Sequence, residues 1–66
     1  MNFVIKQVDE AGVVSYYDGS VFVPNASDAK IIVSVQDARY LQGSFQSQFV
    51  QSEISKVAAT VSVSLA

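Results

Sequence analysis

The sequence predicts a two-layer α+β domain: one amphipathic helix laid over an antiparallel sheet of three or four strands, in the order β-β-(short β)-α-β. Three observations carry that expectation. From Lys56 to Leu65 the chain alternates, with Val57, Ala59, Val61, Val63 and Leu65 on one side and Lys56, Ala58, Thr60, Ser62 and Ser64 on the other. A two-residue period marks a strand with one buried and one wet face. Near the start, two runs rich in β-branched and aromatic residues, 3–8 and 13–18, flank a short polar loop and read as a hairpin. Between these regions Ala38, Leu41, Phe45 and Phe49 recur at spacings of three and four, a single stripe along a helix.

Taken in order, Phe3 to Val8 forms the first strand. Asp9-Glu10-Ala11-Gly12 is the loop, whose glycine can take the positive φ of a tight return, and Val13 to Tyr17 is the returning strand. Asp18-Gly19 signals a second turn. Ser20 to Val23 then either continues the strand after a kink or forms a short third one, and Pro24 ends it because proline donates no ladder hydrogen bond. Asn25 to Lys30 suits one helical turn, and Ile31-Ile32-Val33 reads as a brief buried strand. Ser34 is placed to cap the main helix, with Asp37 in its first turn at the positive end of the helix dipole. Gln36, Arg39, Gln46 and Gln48 fall mostly to the sides or back of the apolar stripe, and Gly43 lies opposite it. The helix is expected to end near 50–52, followed by the closing strand. Ile5, Val61 and Val63 are expected among the inward residues.

Composition narrows the function. With 66 residues there is room for a single small domain, 1–66, and half of the residues are hydrophobic while only 15% are charged, the opposite of the balance that keeps a chain disordered. The net charge is −2, and Lys6, Lys30, Arg39 and Lys56 are scattered rather than gathered into a basic stripe, so nucleic acid is not the expected partner. No apolar run approaches the ~20 residues of a membrane span. The first residues lack the pattern of a signal peptide, and the chain has no cysteine, which together favour a cytoplasmic protein. The Asn25-Ala26-Ser27 triplet is therefore a chance match to a glycosylation site.

Chemistry finds little support. There is no histidine and no cysteine, so a serine nucleophile has no imidazole base and a transition metal lacks its usual ligands. A Ser–Lys pair can be drawn with Lys6, Lys30 or Lys56, but nothing singles one out. Asp9, Glu10 and Asp18 sit near hairpin ends, where they are either a weak divalent-cation locus or ordinary turn formers, and the second is preferred. The isolated Gly12, Gly19 and Gly43 belong to no phosphate-binding loop. The expectation is a non-enzyme without cofactor or metal. Candidate contact residues are Tyr16, Tyr17 and Phe22, since one of two adjacent strand tyrosines must point away from the core and exposed tyrosine often anchors interfaces. Tyr40, off the helical stripe, marks a possible second surface.

The segments FVIKQVDEAGVVSYYDG, VFVPNASDAK and, after the short apolar run, SVQDA resemble a pattern in small accessory proteins of bacteriophages and prophages. These open with a hairpin, continue through an aromatic and a short helical turn, and enter a Ser-capped helix. The resemblance covers a little over half the chain; the second half departs from it, with more Ser and Gln and less charge in the helix. It carries no catalytic motif, and no site residues transfer from it. It implies a phage-encoded protein that binds and modulates, by inhibition, a host protein. The alternative from the residues themselves is a self-associating module, a homodimer joined through a sheet edge or face, because the alternating final strand carries little charge to prevent edge pairing.

Overall fold

A computed structural model describes residues 1–51 and 60–66, with side chains for all of these except 49–51. Its elements are β1 (Phe3–Val8), β2 (Val14–Tyr17), β3 (Phe22–Val23), a 3-10 turn (Ala26–Asp28), α1 (Val35–Gln51) and β4 (Thr60–Leu65). The four strands form one antiparallel sheet in the order β3-β2-β1-β4. With α1 on one face, this is the small α+β architecture expected. Among the described residues no helix is long and apolar enough to cross a membrane. The expected inward positions Val57 and Ala59, and the strand expected from Lys56 as far as Ala59, lie outside the described residues.

The first hairpin turns on Asp9. Its Oδ1 accepts hydrogen bonds from the N–H groups of Ala11 and Val13, both at 2.9 Å, and its carbonyl accepts from Gly12 N–H at 3.0 Å. Gly12 takes φ +83°, a left-handed conformation that an L side chain rarely adopts. The loop after β2 repeats the device: Asp18 Oδ1 accepts from Ser20 and Val21 N–H at 2.8 and 2.9 Å, and Gly19 has φ +111°. Each aspartate thereby satisfies backbone donors that a tight loop would otherwise leave to solvent.

Sheet register assigns the faces. Phe3, Ile5 and Gln7 of β1 stand beside Leu65, Val63 and Val61 of β4, while Gln7 stands beside Ser15 of β2 and Tyr17 beside Phe22 of β3. Residues directly opposite share a face, so Ile5, Val61, Val63, Tyr17 and Phe22 all lie under α1. The core they enclose is Ile5, Ile32, Ala38 and Val61, with Leu41 and Phe45 from the helical stripe packed against it. Ile5 and Ala38 are both fully buried, at 0% exposure. The Phe49 position of the stripe lies outside the described side chains. At the helix start the Ser34 hydroxyl accepts the N–H of Asp37 at 3.3 Å, and the Ser34 carbonyl accepts the N–H of Ala38 at 3.1 Å, the capping expected of this serine.

One element is corrected. Ile31-Ile32-Val33 is not a buried strand but a single bridge, in which Phe3 and Ile32 exchange both backbone hydrogen bonds at 2.8 Å. Ile32 is buried, whereas Ile31 and Val33 are exposed. The reason is topological. The β1–β2 pairs stop at Lys6 with Tyr16, and beyond them Ile32 takes the position beside Phe3 and turns inward. Its neighbours Ile31 and Val33 turn outward by the alternation of extended backbone.

Candidate interaction surfaces

The row Ile32–Phe3–Leu65 across three chain segments marks one end of the sheet. Around it, within three positions along the chain, stand Met1, Ile31, Val33, Val35 and Leu65, all exposed; Val33 is 76% exposed and Leu65 65%. Ile32 and Phe3 turn inward at this end, so the alternation that buries them presents Ile31 and Val33 to water. On the sheet face away from α1, a groove of about 480 Å³ extends to the Val4–Ser64 pair near this end. It is lined by Val4, Lys6, Tyr16, Ile31, Ser64 and Leu65 together with the segment around the 3-10 turn, and Lys6 is the one charged residue in that lining. Ile31 and Leu65 contribute to both features, Ile31 from the face away from α1 and Leu65, opposite Phe3, at the strand end.

A second feature lies at the sheet edge. Val61 N–H donates to Gln46 Oε1 at 2.9 Å, and Gln42 Nε2 donates to the Val61 carbonyl at 3.0 Å. Two glutamines one helical turn apart therefore close both main-chain groups of one residue on β4. Apolar periodicity gave no sign of this, because a polar flank residue looks the same whether it meets water or a strand edge. Gln46, expected at the side or back of the helix, reaches the sheet; Gln36, Arg39 and Gln48 are exposed, as is Gly43.

The candidate aromatics divide. Tyr16 is half-buried on the groove side. Tyr17 and Phe22 turn inward instead, with ring centroids 5.7 Å apart and 4.9 and 5.2 Å from Phe45 respectively. The Tyr17 hydroxyl donates to the Gly19 carbonyl at 2.9 Å, so its polar end is satisfied at the core's rim. Tyr40 is 76% exposed on α1 and does not line the groove. The acids do not converge: Asp9 and Glu10 precede β2 and Asp18 follows it, at opposite ends of the same strand. Among the described residues no cluster of three potential metal-binding side chains forms.

The two N–H groups at its loop, Val21 first and then Ser20, hold the Asp18 carboxyl below its ordinary value of 3.8. A carboxyl whose folded pKa is depressed stabilises the fold fully above its unfolded value, and that contribution disappears as pH falls through the folded one. Urea midpoints measured from about pH 5 down to pH 2 are expected to fall with a shallower slope in Asp18→Asn, whose amide oxygen can still accept both bonds but does not titrate. An unchanged slope would remove Asp18 from the acid sensitivity.

No protein-family model matches the chain, and neither does any curated protein or solved structure.

Proposed function

We propose that the chain is a non-enzymatic protein-interaction module that binds another protein through the apolar end of its sheet. The observation that carries this reading is the gathering of Met1, Ile31, Val33, Val35 and Leu65, all solvent-exposed, around one row of the sheet. Apolar side chains scattered singly on a surface need no explanation, whereas five exposed ones drawn from segments that meet at one end of the sheet, beside a groove, favour a contact site. The lack of histidine and cysteine in the sequence supports a role without catalysis. The resemblance to phage accessory proteins makes a host protein the partner and modulation of that protein the outcome. The same reading puts the chain in the host cytoplasm, in keeping with its freedom from cysteine.

Val33→Asp tests it against Val13→Asp. Both valines are exposed, at 76% and 60%, but Val13 sits in the hairpin loop at the far end of the sheet. Crosslinking in host lysate is expected to recover one dominant protein with the native chain and with Val13→Asp. Recovery should fall about tenfold with Val33→Asp, corresponding to roughly 1.4 kcal/mol. Equal recovery by both variants, or no partner above background, would sink the proposal.

A further inference from the structure

Main-chain groups along an edge strand point alternately toward the neighbouring strand and away from it. On β4, Val61 directs both of its groups away from β1, since the Gln42 and Gln46 side chains hold them. Val63 and Leu65 share that parity and face outward too, while Thr60, Ser62 and Ser64 face β1. The bond from Ala66 N–H to the Asn2 carbonyl at 2.9 Å continues the inward set. Among the described residues no strand lies beyond β4. Nor does β4 carry the charges or proline that usually blunt an edge; its sequence is TVSVSL. The opposite edge, β3, is only two residues long and offers little to pair with.

From this edge we infer that two copies of the chain join β4 to β4 in antiparallel, in a register selected by the two glutamines. Self-pairing can be centred on any residue from Val61 to Leu65, and centring on Val61 or Ser62 engages the Val61 groups that the glutamines hold. Centring on Val63 sets Val61 opposite the partner copy's Leu65 position and requires the main-chain groups that Gln42 and Gln46 already occupy. Centring on Leu65 pairs only one outward residue of β4, Leu65 with itself, within Thr60–Leu65. Centring on Ser64 sets Val63 against Leu65 of the second copy, and the reverse, so the two outward residues that the glutamines do not hold exchange N–H···O bonds and Val61 keeps its own. Directly opposite residues point to the same face. Leu65, 65% exposed in one chain, then packs on Val63 of the other, both α1 helices lie on one side, and the sheet runs continuously through the two-fold axis. The two readings share Leu65, but Val33 is not on β4, so Val33→Asp leaves the edge intact and the failure of one is distinguishable from the failure of the other.

The register gives a direct test. At the axis, Ser64 faces its own copy as a non-hydrogen-bonded pair, with Cα atoms about 4.5 Å apart, within the span that a disulfide bridges. Ser62 is displaced from its own copy by four residues, about 13 Å along the strand. The chain has no native cysteine to confuse the result. Under mild oxidation Ser64→Cys is expected to form covalent dimer at least about tenfold faster than Ser62→Cys, on the ground that access governs thiol–disulfide exchange. Sedimentation of the native chain from micromolar to millimolar concentration should show a monomer–dimer equilibrium. Leu65→Pro should shift it to monomer, since it removes an outward donor while leaving every inward bond of β4 to β1. A native chain that stays monomeric throughout, or equal crosslinking at 62 and 64, overturns the inference. So does a dimer that survives Leu65→Pro, and if that variant does not fold, the two cysteine variants still decide the matter.

Discussion

Ile5→Ala is expected to abolish cooperative folding near physiological temperature. Ile5 is fully buried at the centre of the core, between Val61 of β4 and the Ala38 stripe of α1. Truncating a buried isoleucine to alanine costs roughly 2–5 kcal/mol, the transfer term plus a cavity that its neighbours only partly fill. A core in a chain below ~70 residues rarely supplies more than about 3–5 kcal/mol in total. The two figures are of one size, so the variant should be largely unfolded rather than merely weakened. Ile5→Val, which removes one methyl, should cost only about 0.5–1.5 kcal/mol, or a drop of roughly 2–12 °C at 4–8 °C per kcal/mol. Thermal melts followed by circular dichroism separate the two. A sigmoidal melt for Ile5→Ala within a few degrees of the native one would mean that the core is not organised around this residue.

How far such a core could be read from sequence differs from element to element. The hairpin, the Ser34 cap, the helical stripe and the inward set Ile5, Val61 and Val63 were legible because each is a local pattern: turn chemistry at Asp9 and Gly12, a hydroxyl three residues before Asp37, apolar periods of two and of three to four. What needed the third dimension was not legible. Of the adjacent Tyr16 and Tyr17 one had to face the core, but only the register of β2 against β1 says that it is Tyr17. The order β3-β2-β1-β4 rests on pairing Phe3 with Leu65, a contact between the two ends of the chain that no short window contains. Ile31 and Val33 looked buried because β-branched runs usually are, whereas only Ile32 bridges to Phe3 and turns inward. The surface proposed to bind a partner includes both Ile31 and Val33, and so escaped a reading that sought exposed tyrosines.

The same limit applies to β3, and it leads to the second large expected effect. Two cross-strand pairs, Tyr16 with Val23 and Tyr17 with Phe22, are too few to hold a strand in water by backbone bonding alone. Phe22 is held instead by packing, its ring 5.2 Å from Phe45 and 5.7 Å from Tyr17. Among the described side chains, Phe45 ties the far edge of the sheet to α1 through these ring contacts, and Phe45→Ala should cost about 3 kcal/mol, the lower end for a phenylalanine deletion because the ring is only half-buried. The loss should also be uneven. Amide chemical shifts of Phe22 and Val23 are expected to move toward coil values, while those of the β1–β4 pairs, anchored through Ile5 and Val61, change little. Phe45→Leu keeps most of the volume and should lose mainly the aromatic contribution, about 0.5–1.5 kcal/mol for each ring pair; combined with Tyr17→Leu in a double-mutant cycle, it should show coupling of that order. Uniform shift changes across all four strands in Phe45→Ala would mean that β3 owes its place to the sheet and not to the helix. If β3 loosens alone, the chain is built asymmetrically: a firm β1–β4 side, whose outer edge is open to a second copy, and a β3 side held down by three aromatic rings.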